Sequence, residues 1–473
     1  MRRLLAWVLL AAACAGAGGA PAEAAEKNRL VVLTDIGNDP EDADSLVRLL
    51  LYANELDIEG LIACTSTWQR TAVHTELIEE RVKAYGTVLD NLRAQAPGYP
   101  DAAYLLARIR AGQAAYGLEG VGKGRDTAAS ELLIAAVDRP DPRPLWVTLW
   151  GGATDLAQAL YKVQHTRAAA AVAAFVAKLR VYAISDQDDA GPWIRRNFPE
   201  LLWIGSIHAF GAYANATWPG ISGDTLLGFD GPDPALVSRT WAASRIRKGP
   251  LGELYPPWQD LMEGDTPSFL YLIPNGLGDA EHPEYGSWGG RYDRLSPYEG
   301  LYTDTLDAVT GINGQTIRSN KATIWRWREA YQNDFAARIQ WTLTADPAAA
   351  NHRPEVVVNG SRGLQPLRLV VQAGSEVRLD AGGSRDPDGQ ALRFRWFNYA
   401  EVNRGPAGMP PLALDGGATA QVRFRIPALR EAAQYHVIVE VRDTGEPALF
   451  AYRRVIINVI AAAPAAPAAD PAR

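Results

Sequence analysis

From Arg29 to about Gln340 short apolar, β-branched runs alternate with longer stretches of helical period, the pattern of βα units around a mainly parallel sheet. The clearest predicted strands are 30–33, 58–64, 145–150, 179–184, 201–207 and 269–273. Predicted helices cover 44–54, 75–92, 127–137, 153–163 and 324–339. A Pro- and Ala-rich stretch, 344–354, reads as a linker, and beyond it the period changes. Seven short runs, 355–358, 368–371, 376–379, 392–397, 421–426, 435–441 and 453–459, many of them alternating and each bounded by turn residues, predict an Ig-like β-sandwich. The expected organisation is therefore an α/β domain over 26–343, the linker, an all-β sandwich over 355–461, and a low-complexity Ala/Pro tail, 462–473, predicted to be disordered.

Composition narrows the class. A chain of 473 residues, 47% hydrophobic and 21% charged, is globular and too long for one core. A net charge of −7 gives no electrostatic footprint for a phosphate backbone, so nucleic acid is not an expected partner. Arg2 and Arg3, an apolar run to Cys14 and small residues up to Ala24 read as an export signal over residues 1–25, which predicts a periplasmic or extracellular protein. Ala11-Ala12-Ala13-Cys14 is a degraded lipoprotein site, leaving a lipid anchor at Cys14 as the other reading. No later stretch approaches the ~20 apolar residues of a membrane span. Cys14 and Cys64 are the only cysteines, which excludes a Cys-based zinc site, and the six histidines lack the spacing of a His-based one, so any metal is expected to be held by oxygen.

In an open α/β sheet the ligand crevice lies beyond the carboxyl ends of the strands. After the first strand the chain reads Thr34-Asp35-Ile36-Gly37-Asn38-Asp39-Pro40-Glu41-Asp42-Ala43-Asp44. So many carboxylates sent into one pocket would repel one another, and a hard cation such as Ca²⁺ would offset the repulsion. Gly37 permits a tight turn that brings Asp35 and Asp42 toward one point. One or two of these acids would in any case serve to cap the following helix. Another polar cluster follows the 179–184 strand, with Asp186, Trp193 and Asn197 as candidate substrate contacts; the plainer reading is an acidic loop paired with Arg195 and Arg196. Trp68, Trp193 and Trp288 adjoin strand-end loops, where an indole face would suit a sugar ring.

The acidic loop resembles the signature of the nucleoside hydrolases, Asp-x-Gly-x-Asp-Asp-Ala, with two residues inserted and one Asp replaced by Glu41. A closer resemblance is to secreted bacterial nucleoside hydrolase-like proteins that carry a C-terminal Ig-like domain assigned to cellulose binding. It rests on residues 35–48, on Ile58-Glu59-Gly60-Leu61-Ile62-Ala63 with Thr65-Ser66-Thr67-Trp68, and on Asn275 through Gly290, and it covers nearly the whole chain. The resemblance implies Ca²⁺ held by Asp35 and Asp42, by the carbonyl of Trp150 before Gly151-Gly152, and by Asp279 near His282. It also implies sugar contacts at Thr65 and Ser66, with Asn275 taken as a further substrate contact. Cleavage of a glycosidic bond needs an activated water and negative charge beside the sugar. Asp35 is the expected base, Asp39 and Glu41 the groups that position water or substrate, and His282 the acid. Ala381 to Gly389 followed by Trp396 resembles PKD and cadherin-like modules.

The expected function is an exported, Ca²⁺-dependent hydrolase of N- or O-glycosyl bonds on an extracellular saccharide; the rival is a non-catalytic carbohydrate-binding protein with a structural calcium site. Gly117 to Gly124 nearly spells a phosphate loop, but Gly124 stands where Ser or Thr would bind Mg²⁺. The chain contains no Gly-x-Ser-x-Gly elbow.

Overall fold

The structure is a computed structural model that describes residues 26–257, 262–297 and 299–461. The expected export signal, residues 1–25 with Cys14, and the terminal tract, 462–473, lie outside the described residues. Among the described residues no helix is long and apolar enough to cross a membrane.

The α/β domain is built on an eight-stranded sheet, β1 (Asn28–Thr34), β2 (Leu56–Ala63), β3 (Ile109–Ala111), β4 (Leu145–Leu149), β5 (Leu179–Ser185), β6 (Leu202–Ser206), β7 (Tyr292–Arg294) and β8 (Leu301–Asp304), in the order β3-β2-β1-β4-β5-β6-β8-β7. Every pair is parallel except β7 with β8. A strand covered on both faces has no need for polar alternation. β1 shows this: Leu30 and Val32 enter one core, Val31 and Leu33 the other. β1 lies between β2 and β4, so the sheet grows outward in opposite directions from it. Its carboxyl end, with that of β4, is the topological switch point where such a sheet leaves a crevice.

The apolar run 269–273 is not a strand: Thr266–Leu270 is a short helix. Five apolar residues do not distinguish a strand from a buried helix, and Pro267 in the first turn is pre-organised for the helical state. The long helix expected at 324–339 is two, Ala322–Trp325 and Arg328–Leu343.

Beyond the β9 (Asp307–Thr310) and β10 (Thr316–Ser319) hairpin, six strands form the C-terminal sheets: β11 (Leu367–Gln372), β12 (Glu376–Asp380), β13 (Arg393–Asn398), β14 (Gln421–Arg425), β15 (Ala433–Arg442) and β16 (Phe450–Ile460). A sheet β11-β16-β15-β13 shares one core with the pair β12-β14, where Val377, Leu379 and Phe424 join Tyr435, Val437 and Val439. Residues 355–358 make only isolated bridges, Glu355 with Arg385 and Val358 with Ser361.

Residues 344–354 do not behave as a spacer. The Asn351 carbonyl accepts from Trp341 Nε1 at 2.9 Å, its side-chain amide donates to the Pro447 carbonyl at 2.8 Å, and His352 stacks on Trp341. The sandwich also completes the α/β core. Tyr452 donates its amide to the Asn275 carbonyl at 3.0 Å, Arg454 Nε donates to the Leu277 carbonyl at 2.7 Å, and Phe450, Tyr452 and Ile456 are buried with α/β side chains.

Candidate functional site

Asp35 follows β1 directly, and Gly37, at φ +110°, turns the chain so that the next helix, Glu41–Leu51, begins at once. A Cβ on Gly37 would lie 2.8 Å from the His74 ring, so the turn has no room for a side chain. The helix starts three residues earlier than its apolar period suggests, because Glu41, Asp42 and Asp44 suit a helix N-terminus. Asp39 Oδ1 accepts the Glu41 amide at 3.2 Å, while the N-cap position itself is Pro40 and carries no side-chain cap.

Asp35, Asp39, Glu41 and Asp42 line one cavity of about 450 Å³ with Trp68, Gln187, Tyr213 and Trp218. Asp35 and Asp42 are buried. Thr34 Oγ1 donates to Asp42 Oδ1, and the Ser66 hydroxyl bonds Asp35. Burial pushes Asp35 up to about 7; the Ser66 bond opposes the rise and the charge of Asp39 adds to it. Burial and the charge of Asp35 push Asp42 well above the ordinary carboxylate range, and burial with Asp39 does the same for Glu41. Glu41 Oε2 is buried without a hydrogen-bond partner. Gly151, after β4, lets the backbone press on Asp35: a Cβ there would fall 2.7 Å from Asp35 Oδ1. The Trp150 carbonyl points to this end of the sheet and accepts from Gln187 Nε2 at 2.5 Å.

The further carboxylate that lies with these is Asp265, not Asp279. Asp265 is buried, its Oδ2 has no partner, and after burial the strongest influences raising it are the charges of Asp42, Glu41 and Asp35. It follows Glu263, whose φ of +56° is a strained value for a residue with a side chain, and Gly264, which packs against Glu41 and Trp218. Asp279 lines a different cavity with Asn28, Arg143 and Pro144, at the amino end of β1. At ~3.3 Å per strand residue that is about 20 Å from Asp35. Among the described residues no three acidic, His or Cys side chains converge closely enough to grip an ion as they stand; the carboxylates share the cavity wall without meeting at a point.

Several other expected contacts lie elsewhere. His282 stacks on Tyr285 at 4.4 Å and bonds Glu284 near Arg404 of the sandwich, so it is not an acid for this cavity. Trp288 is wholly buried with Nε1 directed at the Tyr452 hydroxyl, and Asn275 is buried where the sandwich docks. Asp186 forms a two-pronged pair with Arg195 at 2.7 and 2.8 Å, which is the plain reading of that loop. Trp193 packs edge-on against Phe198 on the helix Ala190–Asn197, and Asn197 closes that helix by donating to the Trp193 carbonyl. Thr65 is buried with its hydroxyl on the Ala115 carbonyl, so it braces the loop that carries Ser66.

The cavity mouth is aromatic. Trp68 Nε1 donates to the Tyr213 hydroxyl at 3.1 Å, Tyr213 meets Trp218 edge-on at 5.7 Å, and Phe210 lies 5.8 Å from Trp68 at 30°. Trp218 Nε1 donates to Ser185 Oγ, which also bonds His208 Nε2. Sequence reading missed Phe210, Tyr213, Trp218 and His208 because they sit in a Gly-rich loop segment after β6 with little periodicity; Asp188 was passed over too, and it caps two helices by accepting from the Ala153 and Ala190 amides.

A doubly wound sheet with an acidic switch-point loop, joined to an all-β domain, defines a nucleoside hydrolase-like protein with a C-terminal β-sandwich. Residues 29–292 match the family model "Cellulose-binding Sde182, nucleoside hydrolase-like domain", and 376–459 match "Cellulose-binding protein Sde0182, C-terminal domain". The chain belongs to this family. Among solved structures it is similar to a nucleoside hydrolase-related hypothetical protein from Saccharophagus degradans associated with carbohydrate metabolism, at 37% identity over 92% of this chain and 100% of that one, with a TM-score of 0.78. Further matches are the PKD domain from KIAA 1837 protein (16% identity, 23% of this chain, 100% of that one, TM-score 0.16) and the effector protein XOO4466 (10%, 67%, 94%, 0.34). No curated protein matches the chain.

Proposed function

We propose that this protein is exported and hydrolyses a glycosidic bond in an extracellular saccharide, using Asp35 to take a proton from water. The observation that carries the reading is the cavity itself: four carboxylates at the switch point of the sheet, facing an aromatic wall of Trp68, Tyr213 and Trp218. Carboxylates stabilise the positive charge that develops on a sugar ring during cleavage, and aromatic faces hold the ring's apolar side. An ionised carboxylate within reach of the attacking water is suited to accept its proton. Asp39, exposed at the rim, and Glu41, deeper in, would orient the water and the sugar hydroxyls.

Orphaned buried oxygens on Glu41 and Asp265 support a cation as part of the site, because unpaired buried carboxylates are costly. Asp35, Glu41, Asp42, Asp265 and the Trp150 carbonyl would hold it once the side chains draw in, a hard oxygen set that suits Ca²⁺. When bound, such an ion supplies positive charge that keeps the carboxylates ionised and lowers the pKa of a coordinated water.

A second reading, binding without catalysis, draws on the exposure of Trp68 and Phe210, 53% and 67%, and on the family's description as cellulose-binding. Product analysis on a panel of nucleosides and glycans, with and without chelator, separates the two. Products formed by the wild type and abolished by Asp35→Ala support hydrolysis; retained glycan binding with no product from any substrate selects the binding protein.

A further inference from the structure

We infer that the open strip formed by Trp68 and Phe210 is a platform for the next rings of a neutral oligosaccharide, so that the site takes a sugar chain rather than a single ring and its binding face belongs to the α/β domain rather than to the sandwich. This rests on the reading of the cavity as a saccharide site.

Three observations carry it. Trp68 lines the acidic cavity and Phe210 extends the aromatic surface away from it, their rings 5.8 Å apart and only 30° from parallel. One small ring would be served by Trp68 and Tyr213 at the mouth; a second ring lying beyond them adds contact only for a ligand longer than the cavity. Both rings are more than half exposed, which suits a chain that leaves the cavity into solvent and not a ligand enclosed on all sides. Trp68 is also held in place, by its Nε1 bond to Tyr213, so little ordering is needed on binding.

Among the described residues the sandwich offers no comparable exposed aromatic strip. Its described aromatic residues are all buried or half-buried: Trp396, Tyr399, Phe424, Tyr435, Phe450 and Tyr452 in the cores, Phe394 and Phe397 partly covered. Tyr399 and Tyr452 are spent on the contact with the α/β domain. Negative charge around the cavity also disfavours a phosphorylated ligand, while a neutral oligosaccharide carries no such penalty.

The test is calorimetric titration of the full chain with β-1,4-glucan oligosaccharides of one to six rings, using wild type, Trp68→Ala, Phe210→Ala and Phe210→Tyr. Affinity should rise with length in the wild type. Phe210→Ala should lose about tenfold on the longer ligands, with single-ring affinity unchanged, and Phe210→Tyr should restore it, as expected for an aromatic contact of ordinary strength. Both side chains are exposed, so thermal unfolding of the variants should match the wild type. Length-independent affinity, unchanged binding in Phe210→Ala, or a nucleoside binding the strip more tightly than any oligosaccharide would overturn the proposal. Length-dependent binding without turnover keeps the platform and removes hydrolysis; turnover of small glycosides without length dependence does the reverse.

Discussion

The Tyr399 hydroxyl, from the loop after β13, donates to Asp307 Oδ2 at 2.6 Å, and Asp307 is at the same time gripped by Arg291 at 2.8 Å and Arg326 at 2.6 Å. The sandwich thus supplies one ligand to a buried charge cluster of the α/β domain. Two domains joined this way should unfold together. Urea unfolding followed by tryptophan fluorescence and by circular dichroism should give coincident transitions, and Tyr399→Phe should cost about 1.5–3 kcal/mol, the value of a hydrogen bond to a charged group. Two separated transitions would show that the sandwich is an independent module.

Gly264 sits where any Cβ would fall 1.9 Å from Glu41 Oε2 and 2.9 Å from the Trp218 ring. Gly264→Ala must therefore displace a cavity carboxylate or the aromatic wall. Its saccharide affinity should drop by about tenfold or more, since site groups displaced by an ångström lose much of their function. Wild-type affinity in this variant would mean that neither Glu41 nor Trp218 contacts the ligand.

Asp35 and Asp42 were legible because the short apolar run 30–33 followed by acids has few readings in an α/β chain. Asp265 was hidden by its neighbour: the apolar run after it was read as a strand, and an acid before a helix attracts no notice. The misplaced residues share a different cause. Asn275, Asp279, His282 and Trp288 lie in a Gly-rich polar segment that looks like a ligand loop, yet its backbone carbonyls receive Tyr452 and Arg454 from β16, some 170 positions away. Local patterning carries no trace of such a docking partner. Trp193 was misread because its helix, Ala190–Asn197, is too short to show a clear period.

If a cation joins the acidic cavity, the two candidates for the last carboxylate can be told apart without any assay of activity. Calcium at 100 times its dissociation constant should stabilise the wild type by about 2.7 kcal/mol, read as a rise in Tm. Asp265→Asn should abolish that rise, and Asp279→Asn should leave it intact. The reverse pattern would restore the ligand set implied by the sequence resemblance, and no rise in the wild type would remove calcium from the site.

His436 is wholly buried in β15, and its burial, together with the charge of Arg454, brings it down to about 2. Its Nδ1 accepts from Arg454 at 3.0 Å while Nε2–H donates to Gln434, so the ring is fixed as a neutral tautomer. Arg404, Arg368 and His282 add further positive charge around it. In the unfolded chain a histidine takes up its proton near pH 6.5, whereas the folded protein refuses it until about pH 2. The unfolded state therefore binds more protons throughout that window. The stability tied to His436 is fully present above pH 6.5 and falls as the solution is acidified, by about 1.4 kcal/mol per pH unit once well below 6.5. Carboxylates elsewhere titrate over part of the same range in any variant, so the signal is the difference between wild type and His436→Gln, whose amide oxygen still accepts from Arg454. Urea unfolding from pH 7 to pH 5 should show the wild type losing more stability than the variant, by about 1–2 kcal/mol at the acid end. Parallel profiles would mean that the ring is already protonated in the folded protein, and that Arg454 is not held against a neutral imidazole.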